Sequence, residues 1–139
     1  MKQHQAELTV APRGRGLHEI TPRVGEAVAS SGITTGLCLV FLRHTSASLV
    51  IQENADPSAR RDLEQWFERA APDGDPRYTH TAEGPDDMPA HIRAALTSTS
   101  ETIPVVDGRL GLGTWQGLYL FEHRHRPGRR SVLVHVWGE

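Results

Sequence analysis

Three histidines in separate segments are the first residues of this chain that could carry chemistry. His44 follows an apolar run, His80 lies in a long polar stretch, and His91 lies near the start of a short helical pattern. An imidazole can transfer protons near neutral pH, and it is a common ligand of zinc and other metals. The sequence contains neither an HExxH motif nor a pair of cysteines, so it specifies no particular metal. We therefore predict that these histidines are catalytic, or that they bind a divalent ion such as Mg²⁺ or Zn²⁺, if the fold brings them together.

A second set of polar residues lies beside these histidines or at the next predicted strand end. Alternate residues of a strand share a face, so His44 and Ser46 lie on one side of the chain. Glu53 and Asn54 precede a predicted helix, and a helix N-terminus favours anions. We predict that Glu53 is catalytic and that Ser46 and Asn54 bind ligand. An ordinary polar connection between strands is the alternative interpretation.

A glycine-rich segment, residues 108–117, is the third candidate. Glycine within a strand permits the close approach of a ligand or of another backbone. We predict that Gly113, Thr114 and Gln116 donate hydrogen bonds to an anion, and that Trp115 packs into the core on the alternate face. A glycine-rich turn followed by a tightly packed strand is the alternative.

A histidine- and arginine-rich turn lies near the end of the sequence. His123 and His125 have the spacing of metal ligands on a strand, but their place in this turn favours solvated side chains. The neighbouring arginines could hold a phosphate or could form a solvated turn face. They are Arg124, Arg126, Arg129 and Arg130.

Hydrophobic periodicity indicates about seven strands and three helices, which together predict an α+β fold with a mainly antiparallel sheet. Thr21 and Asp56 are the predicted N-caps of the first two helices, since each precedes a proline. The long polar loop between Pro72 and Pro89 carries His80, and a loop of this length is usually functional or disordered. The predicted strands span 5–10, 16–20, 35–43, 48–52, 102–106, 112–122 and 131–137, and the predicted helices span 21–31, 56–71 and 89–96. The apolar strand 35–43 is expected to be buried on both faces.

Composition limits the classes of function. The chain has 139 residues with 37% hydrophobic content, which suits a single globular domain over residues 1–139. A net charge of −2 gives no reason to expect nucleic acid or an anionic membrane as a partner. The single cysteine, Cys38, lies in an apolar run, so we expect a buried thiol in a reducing, cytoplasmic compartment.

A series of short motifs runs along nearly the whole chain. They are His44-Thr45-Ser46-Ala47-Ser48, Glu53-Asn54-x-Asp56-Pro57, Tyr78-x-His80, Asp86-Asp87-Met88-Pro89-Ala90-His91-Ile92, Gly108-Arg109-Leu110, Gly113-Thr114-Trp115-Gln116-Gly117 and Gly138-Glu139. In this order the motifs resemble the YjbQ family, also called the secondary thiamine-phosphate synthase family. The chain departs from other branches of the family at Pro89, where they carry a carboxylate.

The resemblance implies an α+β fold with an antiparallel β-sandwich, assembled as a homotrimer. It also implies a weak thiamine-phosphate synthase activity, which joins hydroxymethylpyrimidine pyrophosphate to thiazole phosphate and releases pyrophosphate. The polar groups of the implied site map onto His44, Ser46, Glu53, Asn54, His80, His91, Thr114 and Gln116. A non-catalytic module that binds a phosphorylated metabolite or a metal ion is the alternative, because no nucleophile activated by a triad is evident.

Overall fold

Two antiparallel sheets and three helices make up the fold in a computed structural model that describes residues 1–139. The predicted α+β class is confirmed, as is one prominent helix of 14 residues beside two of 11 and 10. No helix is long and apolar enough to cross a membrane. The elements in chain order are β1 (Lys2–Val10), β2 (Gly16–Glu19), α1 (Thr21–Ser31), β3 (Thr35–Leu42), β4 (Ala47–Glu53), α2 (Pro57–Ala70), α3 (Asp87–Leu96), β5 (Ser100–Val106), β6 (Arg109–Leu110), β7 (Gln116–Glu122) and β8 (Arg130–Gly138).

The larger sheet has the strand order β1-β8-β3-β5-β6. β8 lies between β1 and β3 and pairs with both along its length. Alternate side chains of β3 and β8 point inward and are buried, while Leu37 and Phe41 on the outer face of β3 are 38% and 42% exposed. The expectation that this apolar strand is buried on both faces is therefore wrong for the single chain, because nothing in the chain covers the outer face.

The smaller sheet has the order β2-β7-β4 and contributes to two clusters of apolar side chains. Its inner residues, among them Leu49 and Leu120, join α1 and the larger sheet in the main core. Its outer residues, among them Tyr119 and Phe121, form a second cluster against Phe67 of α2. The small sheet thus has a helix on the face turned away from the main core.

The helix starts follow the sequence in one case and depart from it in the other. Asp56 caps α2, as predicted, because its carboxylate accepts a hydrogen bond from the Ser58 amide at 2.9 Å. Thr21 is not the cap of α1: the N-cap is Ile20, and no side chain caps that helix. The Thr21 hydroxyl instead accepts a hydrogen bond from the Leu118 amide at 2.8 Å, which attaches the helix to β7.

The glycine-rich segment is shorter as a strand than its pattern predicts. β7 begins only at Gln116, and a turn precedes it. The Gly113 amide donates to Gln116 Oε1 at 2.8 Å, and the Gln116 amide donates back to the Gly113 carbonyl at 3.1 Å. Because this turn projects into solvent, Trp115 is 65% exposed, and the prediction that it packs into the core is wrong.

Candidate functional site

The buried carboxylate of Asp87 is the centre of the most highly connected polar cluster in the structure. Its side chain is 3% exposed at the first residue of α3. Asp87 Oδ2 accepts hydrogen bonds from His80 Nε2 at 2.7 Å and from His91 Nε2 at 3.0 Å. Asp87 Oδ1 accepts from Arg124 Nη1 at 2.6 Å. Three basic side chains from different segments therefore converge on one carboxylate, and we call this group the Asp87 cluster.

Local structure explains how these residues meet. His91 lies one helical turn after Asp87, so the two side chains share a face of α3. His80 comes from the loop before α3, and Arg124 comes from the connection between β7 and β8. Arg124 also donates to the Glu83 carbonyl at 3.0 Å, so it fastens the loop that carries His80.

The electrostatics of the cluster favour an ionised Asp87. Burial by itself would raise the pKa of this carboxyl group. The hydrogen bond from His80 and the charges of His91 and Arg124 outweigh burial, and the pKa of Asp87 lies below its ordinary value. The buried group is therefore an anion in contact with Arg124 and the two imidazole rings.

The donor set fits a divalent metal ion. One ligand atom each from His80, Asp87 and His91 lie within 4.8 Å of one another. Two imidazoles and a carboxylate are a ligand set of catalytic zinc, which leaves a further position for water or substrate. The Glu83 carboxylate lies near the same position, 3.7 Å from His80 Nε2.

The hydrogen bonds of His91 provide an independent test of that fit. Both of its ring nitrogens face oxygen acceptors, because Nδ1 lies 3.0 Å from the Thr45 carbonyl while Nε2 faces Asp87. Without a metal, both contacts are hydrogen bonds only if the ring carries two protons. A neutral ring that donates from Nδ1 to Thr45 has a free lone pair on Nε2, which is the usual arrangement of a metal-binding histidine.

His44, the remaining histidine candidate, has a different environment. Its Nε2 accepts a hydrogen bond from the Ser131 amide at 2.8 Å, so the ring joins the ends of β3 and β8. Burial and the nearby charge of Arg130 lower the pKa of His44 below its ordinary value. The structure brings His80 and His91 together, with ring centroids 5.4 Å apart, and the carbonyl of Thr45, the residue after His44, contacts His91. The next carbonyl, that of Ser46, accepts from Arg130 at 3.3 Å.

The other predicted ligand-binding residues lie at the opposite end of the small sheet. Glu53 pairs with Gln116 in the β4–β7 ladder, whereas Ala47 pairs with Glu122. Seven residues of extended strand span about 20 Å. We call the far end the glycine end, and it contains Glu53, Asn54, Gly113, Thr114 and Gln116, all exposed. Within one chain, therefore, these residues do not share a pocket with the Asp87 cluster.

A cleft of about 340 Å³ opens beside His80. Most of its walls come from the polar loop, and Tyr78 is the aromatic side chain that lines it. The Tyr78 hydroxyl donates to the Pro72 carbonyl at 3.1 Å, which fixes the ring. The cleft therefore offers one aromatic surface next to a candidate metal ligand.

Sequence reasoning missed the buried polar residues behind the site. His123, expected to be solvated, is fully buried, and its Nε2 lies 2.8 Å from the Ser48 hydroxyl. Burial and the surrounding arginines lower the pKa of His123 to about 3, so the ring is neutral. Phe121 lies on the face of the small sheet that α2 covers. Alternate residues of a strand share a face, so the pattern could have placed His123 on that covered face as well. Arg130 is also buried rather than part of a solvated turn, in an ion pair with Glu122 at 2.7 Å.

Comparison with known proteins identifies relatives along the whole chain. A family model described as "UPF0047 protein YjbQ-like" matches residues 6–139. A UPF0047 protein of Synechocystis sp. is 58% identical over 138 residues, covering 99% of this chain and 94% of that protein. The UPF0047 protein YjbQ of Escherichia coli O157:H7 is 42% identical over 137 residues, covering 98% and 99%.

Solved structures have the same fold. A crystal structure from Sulfolobus solfataricus P2, described as a YbjQ-like protein of unknown function, superposes with a TM-score of 0.90 at 27% identity and covers 99% of both chains. A hypothetical protein from Aeropyrum pernix K1 has a TM-score of 0.88 at 29% identity, covering 97% of this chain and 98% of that one.

Proposed function

The chain belongs to the YjbQ-like UPF0047 family, and on that premise we propose that it is a metal-dependent transferase with weak thiamine-phosphate synthase activity and a catalytic centre at the Asp87 cluster. One observation carries the proposal. Ligand atoms of His80, Asp87 and His91 lie within 4.8 Å of one another around a buried carboxylate. A site that holds a cation beside an open cleft suits a reaction in which pyrophosphate leaves.

Each residue of the cluster has a distinct role in this proposal. His80, Asp87 and His91 hold the divalent ion, which supplies positive charge to the leaving pyrophosphate when bound. The Thr45 carbonyl orients His91 through Nδ1. Arg124 occupies the second oxygen of Asp87, so that only Oδ2 faces the two histidines.

The cleft beside His80 is the proposed substrate site. Transfer forms a bond between the thiazole nitrogen and the methylene carbon of the pyrimidine, and it breaks the bond from that carbon to the pyrophosphate oxygen. The Tyr78 ring offers a surface on which the pyrimidine can stack. Tyr78 thus supplies the aromatic wall of the site, next to the proposed metal ligand His80.

Within one chain the glycine end lies far from the Asp87 cluster, but a second subunit could bring its own glycine end close to that cluster. We propose a homotrimer of β-sandwich subunits in which the exposed outer face of the larger sheet is covered. Leu37 and Phe41 on that face are more than a third exposed, and apolar exposure of this kind favours association. Such an assembly allows the glycine end of one subunit to bind the phosphate of a substrate held at the Asp87 cluster of the next.

The oligomeric proposal has a direct test. Sedimentation at micromolar concentration should give a trimer. Phe41→Asp should shift the protein toward monomer, since it places a charge on the apolar face, while Trp66→Asp, an exposed apolar position on α2 away from that face, serves as the control. A parent protein that sediments only as a monomer would remove this part of the proposal.

The enzymatic proposal is tested by following thiamine phosphate formation from the two phosphorylated substrates with Mg²⁺ or Zn²⁺. His91→Asn and Asp87→Asn should abolish product, and Glu68→Gln, an exposed change on α2, should not. Titration calorimetry with Zn²⁺ on the same proteins reports metal binding separately from turnover. Equal product from Asp87→Asn and the parent would contradict the assignment of the site.

A binding module is the second candidate, and a specific observation favours it. The one serine–histidine contact that resembles an activated nucleophile, Ser48 with His123, is buried and therefore closed to substrate. If the parent binds Zn²⁺ and a phosphorylated metabolite but forms no product, the Asp87 cluster is a binding site without turnover.

A further inference from the structure

We propose that the cavity beneath α2 is a second binding site, which takes a small neutral molecule with an apolar body of about six to eight non-hydrogen atoms. This cavity lies between α2 and the outer face of the small sheet. None of its lining residues belongs to the Asp87 cluster or lines the cleft beside His80. The inference is therefore independent of the proposed transferase activity.

The way in which α2 is attached leaves room below it. No residue of α2 is fully buried, although the helix has an apolar side. Its contacts with the sheet include polar ones: Glu64 accepts a hydrogen bond from the Leu17 amide at 2.8 Å, and Arg60 lies 3.5 Å from the Tyr119 hydroxyl. The helix is thus held over the sheet at these points without filling the space between them.

The walls of the cavity are apolar and partly aromatic. The sheet contributes Leu17, Val50 and Phe121, and the helix contributes Leu63 and Phe67. The rings of Phe67 and Phe121 meet edge to face at 5.1 Å between centroids. A third ring can join such a pair by the same edge-to-face contact.

The volume sets the size of the occupant. The cavity measures about 200 Å³. An engineered apolar cavity of about 150 Å³ in another protein stays dry and binds benzene or xenon. A space of this larger size suits a single ring with one or two substituent atoms.

The polar groups at the cavity set the remaining chemistry of the ligand. Only Thr97 and Gln52 contribute polar side chains, and no charged side chain lines the space. The Thr97 hydroxyl already donates to the Arg93 carbonyl at 2.8 Å and lies 2.5 Å from the Ser48 hydroxyl. Gln52 is exposed and has its amide free for a ligand group at the open side. The geometry therefore favours a neutral ring with a single polar substituent.

The test uses toluene and benzyl alcohol as probes on the intact protein. Both should raise the melting temperature, by about 4 °C at a concentration ten times the dissociation constant. Benzyl alcohol should bind more tightly, because its hydroxyl can reach Gln52. In methyl NMR spectra, the signals of Leu17, Val50 and Leu63 should shift on titration while those of the main core do not.

Cavity-filling variants make the assignment specific. Val50→Phe and, from the other wall, Leu63→Phe should abolish the probe-dependent rise in melting temperature. Val106→Phe, the same change at an exposed position of β5, should retain it. Two filling variants are used because one of them could disturb the fold, and circular dichroism identifies a misfolded variant.

Three outcomes would overturn the proposal. The first is a parent protein whose methyl signals and melting temperature do not respond to either probe up to its solubility limit. The second is an unchanged response in a folded filling variant, which places the probe elsewhere. The third is a disulfide cross-link between two subunits that both carry Leu63→Cys, which shows that a second copy of the chain occupies the space.

Discussion

The two ends of the small sheet differ in how they hold their polar groups. At one end, a buried carboxylate accepts hydrogen bonds from three basic side chains, and each base comes from a different segment. At the glycine end the polar side chains are exposed, and Gly113 and Gln116 bond mainly to each other. The first arrangement is ordered before any ligand arrives, whereas at the second the Gly113 amide is already bonded within its own turn and the side chains are exposed. Preorganisation of this kind is what catalytic and metal sites require.

The largest expected effect comes from removing the buried carboxylate. Asp87→Ala should lower the free energy of unfolding by about 3–5 kcal/mol, because it leaves two histidines and Arg124 without their shared acceptor. Urea denaturation measures the loss. Glu53→Ala at the glycine end, where the carboxylate is exposed and bonds to the Asp56 amide, should cost below about 1 kcal/mol. Equal losses at the two ends would show that burial does not distinguish them.

A smaller effect is expected in how stability depends on pH. Of the two ends of the small sheet, only the one at the Asp87 cluster has a buried neutral histidine, His123. The pKa of His123 is about 3 in the folded protein and about 6.5 when unfolded. Because the unfolded chain takes up the proton first, stability should fall as pH drops below about 6.5, by roughly 2 kcal/mol between pH 6.5 and 5. His123→Gln should flatten this dependence in denaturation experiments at each pH. A variant with the parent's slope would assign the pH dependence to other groups.

At the glycine end, the side chain of Gln116 holds the turn together. Gln116→Ala removes the acceptor of the Gly113 amide and should cost on the order of 1 kcal/mol in stability. It should leave Zn²⁺ binding at the Asp87 cluster unchanged, because the two ends are about 20 Å apart. Calorimetry on the variant checks the second statement. If the subunits combine the two ends, phosphate affinity should fall while metal affinity does not.

The smallest effect is expected at Gly113 itself. A methyl group there would lie 3.4 Å from Gln116 Oε1, an ordinary contact, so Gly113→Ala should change stability by less than about 0.5 kcal/mol. Gly36→Ala is the contrasting variant, because its methyl group would overlap the Trp137 carbonyl oxygen. Thermal denaturation of the two variants should show a large loss only at Gly36.

Periodicity was enough to predict most of the elements, because apolar spacing reflects which face meets the core. It failed where a side chain closed a turn: the Gln116 side-chain oxygen accepts from the Gly113 amide, so residues 113–115 form a turn and the strand begins only at Gln116. It also failed at β3, where the outer face is apolar yet exposed in the single chain. An apolar pattern indicates which face of a strand should be buried, but it does not show whether the same chain or another subunit buries it.

The site was predictable in residue type and not in arrangement. His80 and His91 stand out as unexplained histidines, and the four-residue spacing from Asp87 to His91 could have indicated a shared helix face. The contact of Arg124 with Asp87 forms because the connection between β7 and β8 folds over the loop that carries His80. No local sequence pattern encodes that long-range contact. His44 was a reasonable candidate by type, but its hydrogen bond to the Ser131 amide is visible only when β3 and β8 are paired.

Because β8 lies between β1 and β3, β1 cannot form its strand pair until the end of the chain has been synthesised. Val10 pairs with Arg130, about 120 residues later, and β1 has no other strand beside it. Ribosomes add roughly 5–20 residues per second, so β1 waits on the order of 6–24 seconds before its neighbour emerges. Throughout that interval its edge is open to any extended segment nearby, and the alternating side chains of Gln3, Gln5 and Glu7 keep one face of the unpaired strand polar.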